Sequence, residues 1–389
     1  MKSFSLLLAF LTLAIANPIA QYAQDQVPMG LPTQYPGYSL DLNELRFVEL
    51  EGEAPVWMTE LEKINLKSKG INFLDITETQ ELGLKAKSLR KFSFPSPNAT
   101  ELVEPILKTL STKGPEENLR KFSGFRTRYY RSDTGRESQQ WLLNKISEVT
   151  ADNASKSLRK LISVNEFPHS WGQNSIIVRI NGSSTTEDET LVISAHQDST
   201  NMWPFLPAPG ADDDGSGTVT ILEAYRALIA ADFRPIRSVE FHWYSAEEGG
   251  LLGSQAVAQA YEKRSANVIA MSQFDMTAWV KRGTREEVGI ITDFVDPDLT
   301  KFNKDLVEKY LNIPYVETKC GYACSDHASW RKAGYPSSFT IESSFENSNK
   351  NIHSVNDRID ISDEFSFTHM LEFSKLAVAF AVELGGWTK

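Results

Sequence analysis

Five groups of acidic and histidine side chains in this chain have the types and order that could bind metal ions and use them. They are His196 with Asp198, the run Asp212-Asp213-Asp214, the pair Glu247-Glu248, Asp275 and His353. Each alone has an ordinary structural explanation. An Asp ahead of a helix is commonly its N-cap, paired glutamates commonly begin a solvated helix, and a single histidine is commonly a surface residue or a satisfied core one. What sets these groups apart is their position. His196 and Asp198 follow one apolar strand-like segment, Glu247 and Glu248 a second and Asp275 a third, in a chain with only six histidines. Such clustering of carboxylates is costly unless a cation offsets the like charges. Two imidazoles and three carboxylates are too large a ligand set for one zinc that keeps a position open for water, but suit two. If one Asp bridges, each ion has three protein ligands and the pair can activate a shared water. His169, His242, His327 and His369 lack this acidic setting, apart from Asp326 beside His327, and stay outside the set.

Elements of the right period must carry these groups. Residues 175–180, 190–195, 238–244, 267–274, 288–293 and 337–341 read as strands. Residues 218–230, 252–262, 297–310 and 363–384 read as helices, with earlier helical periodicity over 101–110 and 137–149. This alternation predicts an α/β fold with a mixed, largely parallel central sheet flanked by helices on both faces. Ligands in such sheets bind beyond the C-terminal ends of the strands, which is where the candidate groups fall.

Five segments carry a family resemblance. Ala195-His196-Gln197-Asp198-Ser199-Thr200, Pro209-Gly210-Ala211-Asp212-Asp213-Asp214-Gly215-Ser216-Gly217, Ser245-Ala246-Glu247-Glu248-Gly249, Phe274-Asp275-Met276-Thr277 and Cys320-Gly321-Tyr322-Ala323-Cys324-Ser325-Asp326-His327 look like the secreted di-zinc aminopeptidases. Fungal leucine aminopeptidase precursors and their bacterial extracellular relatives are the nearest, over residues 95–389. The resemblance implies a zinc exopeptidase-like fold and two Zn2+ per chain. His196, Asp213 and Asp275 would hold one ion, and Asp213, Glu248 and His353 the other. Glu247 would be the general base that activates a water between them, and Asp198 would orient His196. Tyr322 would contact the substrate carbonyl oxygen, and Met276, Ile291, Ile341 and Phe345 would line the first specificity pocket. The implied reaction is hydrolysis of the first peptide bond of peptides with a free N-terminus, preferring leucine or other apolar N-terminal residues. A carboxypeptidase on this fold would need a cationic clamp for a C-terminal carboxylate, and no Arg or Lys lies inside these motifs. A non-catalytic binding module would lack a ligand or the base.

The N-terminus reads Met1-Lys2, then an apolar run from Phe4 to Ala16 that closes on Ala14-Ile15-Ala16, the pattern of a secretory signal peptide over residues 1–16. The run is shorter than the roughly 20 apolar residues that span a bilayer, so a membrane partner is not expected. Sequons at Asn98, Asn153 and Asn181 agree with secretion. So do Cys320 and Cys324, the only two cysteines, which in an oxidising compartment have no partner but each other. A net charge of -11 argues against nucleic acid as a partner and is explained most simply by solubility. Pro18, Pro28, Pro32 and Pro36 mark extended chain, and a basic stretch of Lys85, Lys87, Arg90 and Lys91 resembles a processing site. The expected organisation is a propeptide over 17–88 and a catalytic domain over 89–389. The expected product is a secreted, monomeric enzyme whose partners are its own propeptide and peptides with free N-termini.

Overall fold

A computed structural model describes residues 35–86, 93–185 and 188–387. The expected signal segment and the residues Lys87, Arg90 and Lys91 lie outside these. Residues 35–86 form a small unit of their own. Strands β1 (Leu45–Glu49), β2 (Val56–Thr59) and β3 (Leu74–Asp75) pair antiparallel in the order β2-β1-β3, with helix α1 (Glu60–Ser68) following β2. Thr59 starts α1 in a capping box: its hydroxyl accepts from the Glu62 amide at 3.2 Å, and the Glu62 carboxylate accepts from the Thr59 amide at 2.7 Å. Its apolar side chains, among them Leu42, Leu61 and Ile64, pack against Trp203 and Phe205, and a buried charge cluster ties its own elements together. Asp75 accepts from Arg46 at 2.7 Å and from Lys63 at 2.9 Å, and Lys63 also lies 2.9 Å from Glu60.

The rest of the chain is one α/β layer structure. Helices α2 (Thr100–Leu107), α3 (Lys113–Phe122) and α4 (Asp133–Asn153) precede strands β4 (Ile162–Phe167), β5 (Ser175–Ile180) and β6 (Glu189–His196). Then come α5 (Gly215–Ala230), β7 (Ser238–Tyr244), α6 (Leu252–Lys263), β8 (Asn267–Phe274) and β9 (Val288–Ile291). Helix α7 (Pro297–Tyr310), β10 (Tyr315–Thr318), α8 (His327–Lys332), β11 (Ser337–Ile341) and α9 (Phe367–Gly385) complete it. The sheet order is β10-β9-β11-β8-β6-β7-β5-β4. The four central strands β11, β8, β6 and β7 are parallel, and antiparallel pairs occur toward both edges. The mixed, largely parallel sheet with helices on both faces is therefore as the sequence predicts.

Strands β6 and β7 are buried along their whole length, as expected of parallel strands covered on both sides. Alternate residues face different cores. Leu191 and Ile193 pack with α5, α7 and α9, whereas Val192 packs with Val257, Tyr261 and Trp330 from α6 and α8. Because β7 lies on one side of β6 and β8 on the other, the chain reverses its direction of travel across the sheet at β6. That switch point opens a crevice at the strand's C-terminal end.

The differences from sequence expectation are local. Helix α9 starts at Phe367 rather than 363, because the Ser366 hydroxyl accepts from the His369 amide at 3.2 Å and fixes the N-cap there. The edge strands β4 and β10 and the helices α3 and α8 carry periodicity too short or too polar to announce them. Of the sequon asparagines, Asn98 and Asn181 are exposed, while the Asn153 amide donates to the Val149 carbonyl at 2.9 Å. Among the described residues no helix is long and apolar enough to cross a membrane.

The turn that opens α5 must approach β8 closely. A Cβ at Gly217 would lie 2.3 Å from both Asp214 Oδ1 and the Phe274 carbonyl, so only glycine fits. Gly217→Ala should lower unfolding stability in urea by about 1–3 kcal/mol, the usual range for overpacking. An unchanged unfolding midpoint would contradict this packing.

Candidate active site

His196 is the last residue of β6 and sits level with Tyr244, the last of β7, in the parallel register. Glu247 and Glu248 follow β7 within a short turn, and Asp275 directly follows β8. The sheet therefore delivers three of the five groups to one edge, and the loop opening α5 and the loop before α9 bring the other two. Asp213 stands at the centre. Its Oδ1 lies 3.1 Å from His196 Nε2 and its Oδ2 lies 3.0 Å from His353 Nε2. On the first side Asp275 Oδ1 is 3.6 Å from His196 Nε2. On the second, Glu248 Oε2 is 3.1 Å from His353 Nε2.

The three consecutive aspartates divide their roles. Asp212 accepts from Ser216 Oγ at 3.0 Å and from Asn349 Nδ2 at 3.0 Å, which anchors the loop. Asp214 caps α5 through the Gly217 amide at 2.8 Å and also accepts from the His196 amide at 3.1 Å and the Met276 amide at 3.2 Å. Its carboxylate lies close to His196 and Asp275, but both oxygens already serve backbone N–H groups. Only Asp213 leaves its oxygens facing imidazoles. Its own amide donates to Asp357 at 3.0 Å and that of Asp212 does so at 2.9 Å, so Asp357 fixes the run from behind. The peptide between Asp213 and Asp214 is cis.

Asp198 ties two of the strand ends together. Its Oδ1 lies 3.5 Å from His196 Nδ1, and its two oxygens accept from the amides of Glu247 at 3.1 Å and Glu248 at 3.2 Å. Asp275 Oδ2 accepts from Ser325 Oγ at 2.6 Å. Three non-glycine residues at the site have left-handed backbone: Ala246 at φ 57°, Met276 at φ 58° and His353 at φ 54°. Each such conformation costs of order 1–3 kcal/mol and persists where the surroundings enforce it.

The electrostatics call for cations. Burial pushes the Glu247 carboxyl up, and Glu248, Asp326 and Asp275 push it further against the opposing His196, to well above the usual carboxylate range. Burial alone would lower the imidazoles, yet the carboxylates around them outweigh it. They raise His353 to about 9, and His196 is likewise held well above its ordinary value. Burial also raises Asp213, but the two imidazoles reverse that and hold it low. Both ring nitrogens of His196, Asp275 Oδ1 and Glu248 Oε1 are buried without a hydrogen bond among the described residues. Surplus negative charge, unsatisfied nitrogen and oxygen donors and mixed imidazole and carboxylate chemistry fit divalent metal such as zinc.

A cavity of about 770 Å3 opens onto this cluster. Met276, Ile341 and Phe345 line it, joined by Phe339 and Ile352, which the sequence analysis did not name. Ile291 is fully buried in the same apolar group but lies behind the wall rather than on it. Cys320 and Cys324 are joined by a disulfide, and the loop they close carries Tyr322 to the cavity. Burial, and then the charges of Glu247, Asp213, Asp275 and Glu248, push the Tyr322 hydroxyl above its ordinary value, so it remains a donor. Also missed were Ser325, Asp357 and Lys67, which donates to Glu248 Oε2 at 2.5 Å. Nothing in their local sequence marks them, because their roles arise from contacts distant along the chain.

A mixed α/β sheet that gathers two imidazoles and three carboxylates beside an apolar cavity is the architecture of a metallohydrolase. Residues 175–378 match peptidase family M28, and the chain belongs to that family. It is 47% identical to leucine aminopeptidase 1 of Pyrenophora teres f. teres, over 99% of this chain and 98% of that protein. It is 49% identical to leucine aminopeptidase 1 of Colletotrichum graminicola, over 88% of this chain and 86% of that one. The crystal structure of the Legionella pneumophila LapA aminopeptidase is similar with a TM-score of 0.77 at 30% identity, covering 88% of this chain and 94% of that one. The protein is a metallo-aminopeptidase.

Asp198 should matter to metal binding although it lies behind His196. Asp198→Asn keeps the shape but removes one of two acceptor oxygens that hold the Glu247-Glu248 backbone. Metal affinity, measured by competition with a chelator, should fall about 10- to 100-fold. An unchanged dissociation constant would show that Asp198 does not position the site.

Proposed function

We propose that the chain is an extracellular, leucine-preferring aminopeptidase that works with two zinc ions. One ion would be held by His196, Asp213 and Asp275, the other by Asp213, Glu248 and His353. The observation that carries this reading is Asp213, whose two carboxylate oxygens stand 3.1 and 3.0 Å from imidazoles on opposite sides. A carboxylate so placed serves two cations, as a bridging ligand does.

Zinc ions in these positions would acidify a water between them and polarise the scissile carbonyl. Glu247, half-buried with its carboxyl held high, takes the proton of the attacking water and passes it to the leaving amine nitrogen. The Tyr322 phenol donates to the carbonyl oxygen as negative charge builds on it. Asp198 keeps the Glu247-Glu248 turn and the His196 ring in register. Met276, Ile341 and Phe345, with Phe339 and Ile352, offer an apolar pocket to a leucine side chain, and Ile291 supports it from behind. The curated relatives named leucine aminopeptidase 1 support that preference.

We read residues 1–16 as a secretory signal and 17–88 as a prosegment removed on activation, with a monomeric enzyme from 89 onward and glycans on Asn98, Asn153 and Asn181. The docking of residues 35–86 beside the cavity supports a restraining role for the prosegment.

The adjacent glutamates should have separable tasks. Glu247→Gln should slow leucyl-substrate turnover by about 10² to 10⁴ while both zinc ions remain bound. Glu248→Gln should lose zinc as well as rate, read by metal analysis of the same samples. Loss of zinc in Glu247→Gln with full retention in Glu248→Gln would exchange the two roles. Equal cleavage of leucyl and N-acetyl-leucyl substrates by the wild type would contradict recognition of a free N-terminus.

A further inference from the structure

Lys67 lies in the last turn of α1, and its side chain, 18% exposed, leaves the N-terminal unit for the active site. Its ammonium donates to Glu248 Oε2 at 2.5 Å and to the Glu248 backbone carbonyl at 3.0 Å. The same Oε2 is the atom 3.1 Å from His353 Nε2, and Asp213 Oδ2 is 3.0 Å from that nitrogen. The ammonium thus uses a carboxylate oxygen of the Asp213, Glu248 and His353 group. One helical turn earlier, Lys63 faces inward and is matched by acids of its own unit, Glu60 and Asp75, both at 2.9 Å. Lys67 alone of this pair takes its carboxylate from across the interface.

This contact is held by a rail of directed bonds. The Asp75 amide donates to the Gly250 carbonyl at 3.1 Å, and Gln255 Nε2 donates to the Asp75 carbonyl at 3.0 Å. Thr79 Oγ1 donates to Gln255 Oε1 at 2.9 Å, and Glu262 accepts from the amides of Gly83 at 2.8 Å and Lys85 at 2.6 Å. Gly250 has φ +98°, and a Cβ there would lie 2.6 Å from the Asp75 amide nitrogen, so glycine permits the close approach. The rail begins two residues after Glu248 and runs along α6. Residues Gly70, Ile71, Asn72 and Phe73 form part of the cavity wall.

We propose that Lys67 is an internal competitor of metal: while residues 35–86 stay docked, its ammonium holds Glu248 and weakens metal binding in the half of the site formed by Asp213, Glu248 and His353. The inference rests on the two-metal reading above. It follows from charge. The Glu248 side chain is 2% exposed, so this is not a solvated surface pair of little weight. In a pocket of low dielectric a monovalent and a divalent cation that share one carboxylate repel each other strongly. Release of the N-terminal unit removes the ammonium and frees the carboxylate, which couples processing to completion of the metal centre as well as to opening of the cavity.

The test is a zinc titration of the full-length precursor against a chromophoric chelator, reading the number of sites and the affinity of each. Wild type, Lys67→Met and Lys67→Arg are compared before and after removal of the N-terminal segment by limited proteolysis. In the wild-type precursor the second zinc should bind at least about tenfold more weakly than in the Lys67→Met precursor or in the processed enzyme, with the first zinc unchanged. Lys67→Arg, which keeps the cation, should retain the weak second site. Processing then gives the same comparison in the wild type without any substitution. Equal affinities for both zinc ions in precursor, variant and processed enzyme would overturn the inference and leave the two-metal reading standing. A processed enzyme that binds a single zinc would overturn both.

Discussion

The organising constraint is the concentration of negative charge around Asp213, whose two oxygens face the imidazoles of His196 and His353, brought from distant parts of the sequence. Carboxylates packed this closely in a buried crevice repel one another, and the response is visible in Glu247 and the two imidazoles. Glu247 is pushed toward its neutral form, His196 and His353 toward their charged forms. Protons can balance part of this charge. Divalent cations would balance it more completely, and would satisfy the buried Nε2 of His196 and the free oxygens of Asp275 and Glu248 at the same time.

Much of the surrounding structure holds that arrangement against its own repulsion. The parallel register of β6, β7 and β8 brings three of the candidate groups to one edge, and the reversal at β6 leaves room between them. Asp198, Asp214 and Asp357 are carboxylates that accept from backbone amides, and each fixes a loop that carries a residue of the cluster. The left-handed residues Ala246, Met276 and His353 lie in the same loops. The strain at these three residues falls where side-chain direction matters, and the packed cores on both faces of the sheet sustain it.

Much of this was legible in the sequence because period and position coincide. The expected strands end at Ala195 before His196, at Tyr244 before Ser245 and the glutamates, and at Phe274 before Asp275, so both the sheet and the site edge can be read together. The Asp212-Asp213-Asp214 run could not be apportioned in that way. Three identical side chains differ only in the direction the turn gives them, and the cap proves to be Asp214. Residues 35–86 were harder still. Their elements carry no clear period, because the buried set of Arg46, Lys63, Glu60 and Asp75 pairs charges across the fold, and such pairing leaves no periodic signature. Lys67 and Ser325 gain meaning only from partners on other elements.

The direct test of the bridging aspartate is an anomalous-scattering map, collected at the zinc absorption edge, of crystals of the processed enzyme. Two peaks roughly 3.5–4 Å apart, one beside His196 and Asp275 and one beside Glu248 and His353 with Asp213 between them, are predicted. A single peak, or a pair that does not flank Asp213, would contradict it.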